Sequence, residues 1–313
     1  MARVLRSLVV AVLLGSVGEA WAELPSAEKI SAVKLFEVPA YCEGVVFDHQ
    51  GRGYISWRDT ITQFTVDGQN KVWAVTGAPN GHKVLANGTH LVCDASQHAV
   101  LALDAEGKPL PHASSVCGGK PLRGPNDLTL DVANGGFYFS DPGESGVANP
   151  IGTVHYVDAQ GTTHLVAGGL AFPNGIVLTP DGKSVLLAES QANKVWKYPV
   201  VGVGRLGERT LLADLPKKAG EQIDNQPDGM CLDAAGNLYV AHYGMKQVQV
   251  LSPEGKLLAR YPGGNMTTSN VAFGGPNHDQ LFVTGGLGAE AGGGGLFRLD
   301  LGVKGLVILP PKK

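Results

Sequence analysis

Along most of this chain apolar and polar positions alternate in short runs, and the runs come in pairs separated by a turn. "VVFDHQGRGYISW", "IVLTPDGKSVLLAE" and "MCLDAAGNLYVAH" each read as an apolar stretch, a bend containing glycine, and a second apolar stretch. Period-two alternation of this kind predicts half-buried β-strands. Between the pairs lie "AVLALDAEGK", "GTVHYVDAQGTTHLV", "KVWKYPVVGVG" and "VQVLSPEGKLLARY", whose Glu-Gly and Gln-Gly bends suit tight antiparallel hairpins. Beyond the first 22 residues no helical period is sustained.

The paired strands recur as a longer phrase. "YCEGVVFDHQGRGYISW", "PNGHKVLANGTHLVCD", "GPNDLTLDVANGGFYFSD", "FPNGIVLTPDGKSVLLAE", "QPDGMCLDAAGNLYVAH" and "TSNVAFGGPNHDQLFVTG" share one frame, in which a polar residue opens a mostly apolar strand. The opening residues are Glu43, Asn80, Asn126, Asn174, Asp228 and Asn270, at a mean spacing of about 45 residues. Six copies of about four short strands predict an all-β, six-bladed β-propeller. A pair of β-sandwiches leaves a single period kept six times unexplained. "VKLFEVP" precedes the first copy and "GGLFRLDLGVKGLVIL" follows the last. A ring whose final blade takes strands from both ends of the chain has no exposed edge, so closure by the N- and C-terminal strands is expected.

Composition then narrows the class. Arg3 and Arg6, an apolar stretch from Leu8 to Leu14, and the small-residue ending Ala20-Trp21-Ala22 have the layout of a secretory signal peptide. Cleavage is expected after Ala22, leaving 23–313 as one propeller domain in the periplasm or outside the cell, with no membrane association. The formal charge of −3 argues against a nucleic-acid surface, which needs clustered Lys and Arg. Forty-four glycines and nineteen prolines fall between apolar strands, where they mark turns rather than disorder. Cys42, Cys93, Cys117 and Cys231 allow three disulfide pairings in an oxidising compartment, and buried free thiols fit equally well. The sequence does not fix the oligomeric state.

The opening residues carry the chemistry. Each starts the strand nearest the propeller axis, which directs it to the mouth of the central channel. For Asn80 and Asn270 a turn-forming role is sufficient. Glu43 and Asp228 sit among apolar strand residues, where a carboxylate needs a basic partner or a cation. No Arg or Lys occupies the same place in another copy. Two carboxylates and one or more Asn oxygens make an oxygen-only site for a hard divalent ion, Ca2+ above all, with Mg2+, Mn2+ or Zn2+ as substitutes.

In these phrases, in this order, the chain resembles the senescence-marker-protein/gluconolactonase (regucalcin-like) family of six-bladed propeller lactonases. The likeness runs from about Glu43 to Gly305. It rests on "EGVVFD", "GPNDLTLD…YFSDP", "FPNGIVLTPDGKSVLLAES", "PDGMCLDAAGNLYVAHYG", "SNVAFGG" and "LFRLDLGVKGL". The resemblance implies one catalytic divalent cation held by Glu43, Asn174 and Asp228, with Asp228 also acting as proton donor and acceptor. It further implies that Asn126 contacts substrate or lies beside the metal, and that the substrate is a small lactone.

One departure bears on the substrate. An arginine that grips sugar hydroxyls in vertebrate relatives falls on Gly124 here, with Arg123 one place away. Arg123 and, in "DPGESGVANP", Glu144 are the remaining substrate-binding candidates. Asp127 and Asp141 are expected to cap turns or brace the channel wall, and His242 to be structural. Two other readings use the same ring: a metal-dependent phosphotriesterase or aryl esterase, and a calcium-stabilised propeller that binds without catalysis.

Overall fold

The computed structural model describes residues 23–217, 225–288 and 292–306. The expected signal peptide lies outside these residues. Alternating strands build six blades in chain order. Blade 1 is Cys42–Phe47, Gly53–Trp57, Thr60–Phe64 and Asn70–Val75. Blade 2 is Pro79–Val84, His90–Asp94 and Ala99–Leu103, and blade 3 is Leu128–Asp131, Gly136–Asp141, Gly152–Val157 and Thr163–Leu170. Blade 4 runs from Pro173–Leu178 through Ser184–Glu189 and Lys194–Gly202 to Thr210–Asp214, and blade 5 from Gln226–Leu232 through Leu238–Tyr243 and Gln247–Leu251 to Leu257–Pro262. Every pairing is antiparallel. The first strands of successive blades touch one another in turn, from blade 1 round to blade 6 and back, which places them around the axis.

Closure is as expected. Blade 6 orders Thr267–Gly274, Gln280–Gly286 and Gly294–Asp300, and its outer strand is Val33–Val38 from the other end of the chain, antiparallel to Gly294–Asp300. The seam is packed by aromatic rings, with Phe47 of blade 1 lying 4.7 Å from Phe282 of blade 6 and 5.5 Å from Phe64. Each fully buried ring of this kind stabilises the fold by roughly 1.5–3 kcal/mol.

The structure departs from a uniform four-stranded blade at blade 2, which has three strands. After Leu103 only isolated bridges, Leu103 to Pro109 and Val100 to Ser114, hold the place of the fourth. Pro109 and Pro111 each lack a backbone N–H, so a continuous ladder cannot form across them. The long segment after Gly202 supplies a two-residue strand, Arg205–Leu206, before the outer strand of blade 4.

A repeated device fixes the inner hairpins. Asp48 and Asp233 end first strands, accept backbone N–H groups of the turn, and also accept a tyrosine hydroxyl, Tyr54 at 2.9 Å and Tyr239 at 3.3 Å. Burying a carboxylate costs stability unless its oxygens are occupied, and here they are. All four cysteines are free thiols, set in different blades or loops, so none of the three pairings forms.

Candidate metal centre

Glu43, Asn80, Asn174 and Asp228 sit where the pairing of their first strands is interrupted, while Asn126 precedes the first strand of its blade. The register shifts between Glu43 and Val46, Pro79 and His82, Pro173 and Ile176, and Pro227 and Met230. A bulge bends the strand and re-aims the side chain beside it, here toward the axial mouth. Glycine follows the keyed residue at these four positions because the next blade comes too close for a side chain. A Cβ on Gly44 would stand 1.9 Å from the Asn80 carbonyl oxygen, and one on Gly175 would stand 2.2 Å from the Asp228 carbonyl oxygen. Gly44 also has φ +49. Gly44→Ala is therefore expected to lower stability by about 3 kcal/mol, combining a left-handed penalty with a backbone clash, read as a lower urea midpoint at unchanged slope.

The result is a cavity of about 350 Å³ at the mouth, lined by Glu43, Asn80, Asn126, Asn174 and Asp228 together with Tyr41, Phe172, Gln226, Tyr243 and Thr267. Asn174 and Asp228 are each 6% exposed, so neither is a solvated surface group. Tyr41 Oη donates to Glu43 Oε1 at 2.7 Å, while Glu43 Oε2 is buried with no hydrogen-bond partner. Burial, then the negative charge of Asp127, pushes the Glu43 carboxyl up to about 8. Burial, then the charges of Glu43 and Asp127, raises Asp228 well above the usual carboxylate range, against the pull of the Asn174 amide. Two carboxylates that resist ionising together, one with an orphaned oxygen, and no Lys or Arg among the described lining residues fit a divalent cation. Among the described residues no cluster of three or more His, Cys, Asp or Glu side chains stands ready to hold a metal. Any site here is therefore two carboxylates completed by amide oxygens, as hard cations accept.

This electrostatic tension has a measurable sign. Without a cation, the folded protein keeps protons on carboxyls that the unfolded chain has released, so stability falls as pH rises toward 8. His82, His90 and His242, whose pKa values are lowered by burial, give the opposite slope only below the ordinary histidine range. Between pH 7 and 8 the carboxyls lead, with the buried thiols, also raised by burial, adding in the same direction as pH approaches the ordinary thiol range, and chelated protein is expected to lose roughly 1 kcal/mol. Saturating Ca2+ should flatten that slope in urea titrations.

The other sequence candidates divide. Asn126 lines the cavity; Arg123 and Glu144 are exposed and are not among its lining residues. The Asp141 carboxylate accepts the Arg123 and Gly124 N–H groups at 2.7–3.0 Å and pins that turn by its backbone. Asp127 caps its own strand, accepting the Leu128 N–H at 2.8 Å. His242 is structural, with Nε2 3.0 Å from Asn193 Oδ1. Asn270 is displaced by one position. Its Oδ1 accepts the Val271 N–H at 2.8 Å, the contact that Asp127 makes, so Ser269 takes the keyed place and donates to the Cys42 carbonyl at 2.7 Å across the closing seam.

Sequence reasoning missed an outer tier. Tyr41, Phe172, Gln226 and Thr267 each lie two residues before the keyed position of their blade and line the same cavity. It also missed Lys83, which lines a smaller cavity of about 70 Å³ with Val45, Val177, Met230 and Cys231, and whose charge acts on Asp127.

A six-bladed propeller with an oxygen-donor cavity at one axial mouth is the class that fold and site define. The chain belongs to the SMP-30/Gluconolactonase/LRE-like family, whose model matches residues 41–286. It is 30% identical over 212 residues to a gluconolactonase of Zymomonas mobilis, covering 62% of this chain and 57% of that protein. It is also 30% identical over 193 residues to the pentonolactonase XacC of Haloferax volcanii, covering 58% of this chain and 63% of that protein. The match thus spans less than two thirds of either relative. A calcium-binding regucalcin of Agrobacterium tumefaciens shares the fold with a TM-score of 0.76 at 20% identity, covering 91% of this chain and 98% of that one.

Proposed function

We propose that the protein is a divalent-cation-dependent lactonase that opens a small lactone, with Glu43, Asn174 and Asp228 holding the ion. The observation that carries the reading is the Glu43 and Asp228 pair in one buried mouth, with Glu43 Oε2 unpartnered and no described cation lining the cavity. Membership of a lactonase family and the names of the two relatives support the reaction class. Calcium is the favoured ion because the donors are all oxygens. A bound divalent cation would supply Lewis-acid polarisation of the lactone carbonyl and a lowered pKa for a neighbouring water.

The chain's own groups do the rest. Tyr41 fixes Glu43 through Oε1 and leaves Oε2 as the oxygen that would hold the ion. Asn126 and Asn80 present amides to the oxygens of the substrate. Asp228 accepts a proton as water oxygen bonds to the carbonyl carbon. When the ring C–O bond breaks, Asp228 returns that proton to the alkoxide, which stays attached to the product as the hydroxyl of a hydroxy acid.

A lactone panel assayed after exhaustive chelation, with Ca2+, Mg2+, Mn2+ or Zn2+ added back, tests the proposal. Activity should vanish and return with the metal. Turnover untouched by chelation, or hydrolysis of phosphotriesters with no lactone turned over, would overturn it.

A further inference from the structure

The outer tier of the cavity mouth contains a residue whose backbone is held against its preference. Phe172 has φ +61, a left-handed conformation that a bulky aromatic residue rarely adopts. The surroundings over-determine it. Its N–H donates to Ser145 Oγ at 3.1 Å and its carbonyl accepts the Ser190 N–H at 2.9 Å. The preceding Ala171 N–H donates to Glu189 Oε1 at 2.7 Å, and that buried carboxylate is held in turn by Trp196 Nε1 and Arg209. Strain so buttressed marks a functional position more often than an accident. Here it delivers an aromatic ring to the wall of the mouth.

The rest of the tier gives the ring a partner. Tyr41 holds the same place on blade 1, three blades from Phe172 and so on the opposite side of a six-fold ring, with Tyr243 packed edge-on to it at 6.3 Å. Ala78 and Gly124 hold that place on blades 2 and 3 and carry too little side chain to wall the mouth. Gln226 and Thr267 complete the tier as uncharged polar groups. The described lining thus offers two aromatic walls, several amides and no positive charge above a floor of carboxylates.

Resting on the lactonase reading, we infer that Phe172 is a specificity-determining residue. It receives the ring face of an uncharged lactone inserted between the blade 1 and blade 4 walls, and the site rejects lactones that carry an anionic substituent. The described side chains of this outer tier offer an anionic substituent no positive partner, while an aromatic face binds a neutral ring by contact alone.

Steady-state kinetics of the calcium-loaded enzyme test this with δ-gluconolactone and its 6-phosphate. The wild type should favour the neutral lactone by at least about tenfold in kcat/KM. Phe172→Ala should raise KM for the neutral lactone about tenfold with little change in kcat, because contact with a non-reacting face is made equally in ground and transition states. Phe172→Tyr should retain the wild-type KM. Phe172→Gly should match the alanine variant in KM yet melt at a higher temperature, since glycine accepts the left-handed backbone. That pair of readouts separates strain kept for binding from strain kept for folding. Preference for the phosphorylated lactone, or an unchanged KM in Phe172→Ala, would overturn the inference while leaving the lactonase reading intact. Failure of the wild type to hydrolyse any lactone would overturn both.

Discussion

Asp228→Asn should lower kcat/KM for lactone hydrolysis by about a thousandfold or more, and should make the cation-free protein more stable than the wild type. The two effects have one origin. Asp228 is 6% exposed and its carboxyl is raised by burial and by the charges of Glu43 and Asp127. An amide of the same shape keeps the packing against Asn174 and removes the repulsion, so the chelated variant should gain roughly 1–2 kcal/mol near pH 8. It can no longer accept a proton, however, and it contributes a weaker donor to an ion. Loss of activity with a raised urea midpoint is the expected signature. A variant that loses activity by unfolding, or keeps it while folded, contradicts the role given to this residue.

Glu43→Gln should weaken Ca2+ binding at least about a hundredfold, as read by isothermal titration, and abolish the calcium-dependent rise in melting temperature. The reason is local. Oε1 is committed to the Tyr41 hydroxyl at 2.7 Å, so Oε2 is the oxygen left for an ion. In the glutamine variant the charge disappears, and the nitrogen that can take either position is a donor, which an ion cannot use. Activity restored by millimolar Ca2+ would show that the residue binds metal. Activity lost at every concentration, with binding unchanged, would show that it does something else.

Much of the fold was legible because propeller blades are local. A hairpin states its own turn, a period of about 45 residues counts the blades, and the apolar ends of the chain announce closure. What escaped was non-local or out of step. Blade 2 lost a strand to Pro109 and Pro111, whose effect on pairing is physical but weak in a pattern of alternation. Asn270 aligned by letter and not by place, because a one-residue shift at Thr268 moved Ser269 into the keyed position.

The site was legible to the extent that it follows strand registers. Glu43, Asn174 and Asp228 line one cavity because each lies near the start of a first strand, and Asn126 joins them from just before the first strand of its blade. Arg123 and Glu144 were chosen from loops, where the sequence gives no direction for a side chain, and both lie outside it. Tyr41 and Phe172 could have been found by stepping two residues back from Glu43 and Asn174, but an aromatic residue just ahead of an apolar strand carries no signal of its own. Lys83 required the axial channel itself, since its charge meets Asp127 from a different blade.

The central claim is that side chains from blades 1, 4 and 5, far apart along the chain, converge on a single cation. Anomalous diffraction from crystals equilibrated with Mn2+ tests it most directly. One peak bounded by the Glu43, Asn174 and Asp228 oxygens, displaced by Ca2+, is the predicted result. A fully occupied ion elsewhere in the propeller, with those three side chains turned apart, would contradict it.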